Sequence, residues 1–170
     1  MSAVMSTDLR YRYRLSRRWD DDGNNTALFV MLNPSTADHE LDDRTITRCI
    51  GFAKRLGCTG LDVVNLYALR STKPEGLWLV DDPIGEENDH YLRLHIEMAA
   101  RRGEPIIAAW GANAKQERAD HVLAFDGMQT ASAFGFTKFG APLHPLYQRA
   151  DRPLIPLIAT SPPSPGIETP

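Results

Sequence analysis

Cysteine is scarce in this chain: Cys49 and Cys58 are the two in 170 residues. Two are too few for the disulfide framework of a small secreted domain or for a Cys-ligated iron–sulfur cluster. Long apolar runs are missing as well. None approaches the ~20 residues of a membrane span, and Met1 to Arg18 is charged, without the apolar core of a signal peptide. A cytoplasmic protein with no membrane partner is the expectation. Nor is there an excess of one charge: 19 basic against 22 acidic residues give −3 and a pI near 5.9. That balance excludes coating nucleic acid by bulk electrostatics but leaves room for a local basic site. The His/Cys spacing of zinc sites, the P-loop, Gly-x-Gly-x-x-Gly and Gly-x-Ser-x-Gly are all absent. Neither a cofactor nor a metal is therefore expected.

What is present is ordinary globular material, 42% hydrophobic and 24% charged, at a length that suits one domain. Residues 1–9 read as a loose start, 10–157 as a single α/β domain, and 158–170 as a Pro-rich extended tail. Arg10 to Trp19 alternates basic with apolar or aromatic residues, the period of a strand with one cationic face. A turn cluster over 20–25 separates it from Thr26 to Leu32, an apolar run suited to a strand buried on both sides. The two could pair as a hairpin. Residues 44–57 place Ile46, Cys49, Ile50, Ala53 and Leu56 on one helical face, with Asp42 or Asp43 as cap and Gly57 as stop. Leu61 to Leu69 and Pro105 to Trp110 read as further buried strands. Glu86 to Arg102 and Ala112 to about Ala124 read as helices, and Ala131 to Phe136 as a short last strand. The alternation predicts a three-layer α/β/α fold around a mostly parallel central sheet.

Ligands in such sheets bind beyond the carboxyl ends of the strands. Asn33, Asn65, Gly111 and His144 all fall at or near such ends. Asn33, with Pro34 and Ser35 behind it, carries an amide able to donate and accept; a turn residue is the plainer account. Asn65 interrupts an apolar strand, where an unpaired amide costs ~1–3 kcal/mol. It could read a planar base edge or simply bridge nearby backbone. His144, before Pro145, could donate to a developing negative charge or transfer a proton. Arg10, Arg12, Arg14, Arg17 and Arg18 could meet phosphates or blunt an exposed edge. Asp38, His39, Glu40, Asp42 and Asp43 could offer oxygens to a divalent ion, or sit as a solvated helix N-terminus favoured by the dipole.

The runs Met31-Leu32-Asn33-Pro34-Ser35-Thr36-Ala37-Asp38, Val63-Val64-Asn65-Leu66-Tyr67-Ala68-Leu69-Arg70, Trp110-Gly111 and His144-Pro145-Leu146-Tyr147 resemble an uncharacterised bacterial family, domain of unknown function 1643. The same parts, in the same order, resemble more distantly the uracil-DNA glycosylase superfamily. That resemblance implies a uracil-DNA-glycosylase-like fold and a role in DNA repair. Asn33 would then orient the attacking water, Asn65 would read the base edge, and His144 would stabilise the leaving base. Pro34, Ser35, Tyr67, Arg70, Gly111 and Pro145 would be substrate contacts. Met31 and Ser35 stand where the superfamily has glycines, and Leu146 where it has serine. The base-stacking aromatic stays open among Phe52, Tyr67 and Trp110. Three readings follow: an N-glycosidic-bond hydrolase acting on a base in nucleic acid, a non-catalytic module binding a nucleotide or modified base, and a metal-dependent enzyme using the 38–43 loop. The corresponding partners are DNA or a nucleotide or base.

Overall fold

The computed structural model of the chain describes residues 2–20, 23–35 and 43–157. In chain order the elements are β1 (Ser2–Met5), β2 (Arg12–Arg18), β3 (Thr26–Met31), α1 (Arg44–Arg55), β4 (Gly60–Asn65), α2 (Asn88–Arg102), β5 (Ile106–Ala108), α3 (Gln116–Leu123), β6 (Ser132–Ala133) and β7 (Ile155–Pro156). Short 3₁₀ turns occupy Pro74–Leu79, Met128–Thr130 and Pro145–Tyr147. The strands form one sheet in the order β1-β2-β4-β3-β5-β6-β7.

The sheet is mixed, which corrects the expectation of a mostly parallel one. β4, β3, β5 and β6 run parallel, while β1 on β2, β2 on β4, and β6 on β7 are antiparallel. The helical crossovers enforce parallel pairing only in the centre; the flanking strands are added without one. The hairpin of the first two apolar segments does not form either. β3 is buried along its whole length and holds a parallel neighbour at each edge, so β2 pairs with β4 instead, Leu15 opposite Val63. Residues 2–5, read as a loose start, make the outer strand on β2. Four residues carry too short a pattern to announce a strand, and β7, with two, is lost to sequence reading for the same reason.

Two apolar layers hold the sheet. On one side Phe29, Met31, Leu61 and Val63 pack against Ile46, Cys49, Phe52 and Ala53 of α1. On the other Leu28, Val30, Val64 and Ile106 pack against Leu92, Ile96 and Ala99 of α2 and Ala119 and Val122 of α3. Asp43 caps α1, its carboxylate accepting from Ile46 N at 2.8 Å, and Gly57 leaves the helix at φ +75°. The two crossovers, β3-α1-β4 and β4-α2-β5, therefore lie on opposite faces. The strand order β4-β3-β5-β6 reverses between β3 and β5, and the crevice at the carboxyl ends of these central strands is the switch point where α/β sheets take ligands. Among the described residues, no helix is long and apolar enough to cross a membrane.

Candidate functional site

At that crevice lies a cavity of about 550 Å³, lined among others by Arg12, Asn33, Ser35, Asp43, Asn65, Gly111 and His144. Segments far apart in sequence supply it, among them the bulged start of β2, the ends of β3 and β4, the start of α1, the segment after β5 that holds Gly111 and the segment after β6 that holds His144. The residues expected to converge, Asn33, Asn65, Gly111 and His144, do so.

Asn33 is fixed by its own amide. Its Nδ2 donates to the Pro34 carbonyl at 3.0 Å and to the Ser71 carbonyl at 2.9 Å, and Ser71 N donates back to the Pro34 carbonyl at 2.9 Å. This clasp ties the end of β3 to the loop after β4. It uses both amide hydrogens, so what Asn33 has left to offer is the acceptor Oδ1.

Asn65 is 3% exposed, and its side chain makes no hydrogen bond among the described residues. A buried amide with free donors and acceptor on a cavity wall is costly unless a ligand or water completes it. Its backbone, in contrast, is pinned. Asn88 Nδ2 donates to the Asn65 carbonyl at 3.0 Å and the Leu66 carbonyl at 3.1 Å. Arg118 Nε donates to the Leu66 carbonyl at 2.8 Å while its guanidinium pairs with Asp89. Burial alone would raise the Asp89 carboxyl, but the bonds from Arg118 and His121 outweigh it and hold it below its ordinary value. Asn88 and Arg118 are positioning residues the sequence did not reveal. Their polar character in helices looked like ordinary surface.

His144 is placed by backbone. Gly111 N donates to the Pro142 carbonyl at 2.9 Å, and Gly111 sits at φ +74°. A Cβ there would be strained and would lie 3.4 Å from His144 Cβ. His144 Nδ1 accepts from Leu146 N at 3.3 Å, so the neutral ring carries its hydrogen on Nε2. Burial pushes the imidazole below its ordinary pKa, and the negative charge of Asp43 partly offsets the shift. At neutral pH His144 is thus an uncharged donor. Arg48 of α1 secures the turn beyond it through the Gln148 carbonyl.

Arg12 is the least foreseen member of the site. Strict alternation would place it beside Arg14 and Arg18. However, the β1–β2 register slips between Val4 and Met5, whose partners are Arg14 and Arg12, and Tyr13 is the extra residue of a bulge. Tyr13 stacks on Tyr91 of α2, and Arg14 lies 4.0 Å from Asp62 on the same side, while Arg12 is sent to the cavity. Bulges re-aim side chains in this way. Burial, with the nearby positive charges of Arg70 and Arg17, lowers Arg12 to about 10, against the pull of Asp43.

The remaining sequence candidates stand elsewhere. Tyr67 faces the opposite layer, where its hydroxyl accepts from Lys115 N and its ring meets Trp78 edge-on. Arg70 donates to the Leu9 carbonyl and lines a separate surface groove. Pro34 and Pro145 shape the backbone beside the cavity rather than lining it. Of the aromatics, Trp110 lines the cavity, Phe52 packs on Phe134 in the core, and Tyr147, 82% exposed, stands at the mouth. In the acidic loop Asp38, His39, Glu40 and Asp42 lie outside the described residues, and Asp43 is occupied as the α1 cap. Among the described residues no His, Cys, Asp and Glu cluster is arranged to hold a metal.

A family model described as Protein of unknown function (DUF1643) matches residues 12–146. The chain belongs to this family. The matched span begins at Arg12 and ends just past His144, so it includes the strand ends that build the cavity. No curated protein and no solved structure matches the chain.

Proposed function

We propose that the protein recognises a nucleic-acid base in this cavity and hydrolyses its N-glycosidic bond, on a fold of the uracil-DNA glycosylase type. The observation that carries the reading is the meeting of Asn33, Asn65 and His144 around one cavity at the strand ends. Each offers a different and complementary function. Asn65 has a free amide, which suits paired donor and acceptor bonds to a base edge. Asn33 keeps Oδ1 to accept from a water and aim it at the sugar carbon. His144 offers a neutral Nε2–H to the carbonyl of the departing base, where charge develops. The C–N bond breaks with its electron pair leaving on the base. Water supplies hydroxide to the sugar carbon and a proton to the products. A base inside a strand would have to be flipped out, at a cost of a few kcal/mol.

The test is cleavage at abasic sites after incubation with labelled oligonucleotides carrying uracil, hypoxanthine, xanthine or oxidised pyrimidines, single- and double-stranded. Turnover is expected on at least one of these. Asn33→Ala and His144→Ala should each lower it by about 10²–10³-fold, the usual effect of removing one such donor or water-positioning group. Turnover unchanged in both variants would contradict the assignment. Base binding without any turnover would make the protein a nucleotide-binding module.

A further inference from the structure

Arg12 stands in the cavity with no partner among the described residues. It is 7% exposed, its Nε is buried without a partner, and its guanidinium makes no hydrogen bond or ion pair among the described residues. A buried guanidinium left so costs several kcal/mol unless an anion completes it. Placing it there takes a bulge in β2, which breaks the alternation that would otherwise have put it with Arg14 against Asp62. Nearby charge does not replace the missing partner. Asp43 attracts Arg12 but forms no ion pair with it, and Asp43 Oδ1 accepts from Ile46 N. His144 is uncharged, and Arg17 and Arg70 add positive potential.

We infer that Arg12 is a built-in anion subsite, and that it takes a phosphoryl group of the same molecule whose base Asn65 reads. A guanidinium presents two parallel N–H bonds to a phosphate, the geometry for which arginine is preferred over lysine. The backbone N–H of Arg12 donates to the carbonyl of Ala68, three residues beyond Asn65, at 2.9 Å, and Arg12 and Asn65 line the same cavity. The choice of phosphate rests on the base-recognition reading; the anion site itself does not. The phosphoryl group belongs either to a free nucleotide or to the strand that carries the base.

Calorimetric titration of the full chain tests this with inorganic phosphate, 2′-deoxyuridine, its 5′-monophosphate and a deoxyuridine dinucleotide. Inorganic phosphate should bind the native protein and Asn65→Leu alike, and should lose its binding to Arg12→Met. The monophosphate or the dinucleotide should bind at least about tenfold tighter than the nucleoside, as one charge-assisted pair provides. Whichever gains more identifies the source of the phosphate. Should Arg12→Met fail to fold, Arg12→Lys serves, with a weaker but measurable gain. The comparison of nucleoside with nucleotide on the native chain needs no variant. Phosphate bound through Arg12 while deoxyuridine does not bind would uphold the subsite and remove uracil as the base. A nucleoside bound equally well with and without its phosphate, and no binding of inorganic phosphate, would overturn the subsite and leave the base reading in place.

Discussion

His144 shows how one backbone bond sets the chemistry of a side chain. Because Nδ1 accepts from Leu146 N, protonation would turn two donors toward each other and break the cap of the 145–147 turn. Burial acts in the same direction, and Asp43 acts against both. The sign for stability follows. The unfolded chain takes up its histidine proton near pH 6.5, before folded His144 and His95, both of which burial lowers. Stability is therefore fully present above that value and is lost as pH falls through it toward the depressed folded values. NMR titration should place the His144 midpoint below 6.5. It should fall further in Asp43→Asn, which keeps the helix cap but removes the charge. A midpoint unchanged in this variant would mean that Asp43 does not act on His144.

The elements show what local sequence can and cannot announce. The apolar run of β3 and the i, i+3, i+4, i+7 spacing of α1 were legible because burial on both faces, or on one, leaves a periodic trace. The strand-end polar residues Asn33 and Asn65 were legible because they interrupt that trace. The bulge at Tyr13 was not. It depends on pairing with β1, a strand too short to read, and its effect is to exchange the faces that alternation assigns. Asn88 was hidden for another reason: its partners are carbonyls of the chain around residue 65, known only from tertiary structure. Its role gives a prediction. Asn88→Leu keeps the volume but strips two buried carbonyls of a donor, which should cost about 1–3 kcal/mol in urea unfolding. Base affinity should fall as well, because the Asn65 segment is released. A loss of stability with unchanged base affinity would make Asn88 a purely structural bond.

The whole molecule explains why this cavity exists. Helices α1 and α3 cover opposite faces of the sheet, so the connections that leave β3 and β5 diverge and leave the crevice open. Its volume, about 550 Å³, falls among those of small-molecule sites. Several polar groups meet there, beyond the apolar run of β3. The antiparallel flanks do not alter this, because they add strands outside the parallel centre; β2 contributes only by delivering Arg12. The central claim is that Asn65 uses its free amide on a base edge. Calorimetry with free uracil, hypoxanthine and xanthine tests it most directly, comparing the native protein with Asn65→Leu, which removes the amide at similar size. The account predicts binding of at least one base, weakened about tenfold in the variant, since leaving a base edge unpaired costs about 1–3 kcal/mol. Equal affinity in the two proteins for every base that binds, or no binding of any base, would contradict it.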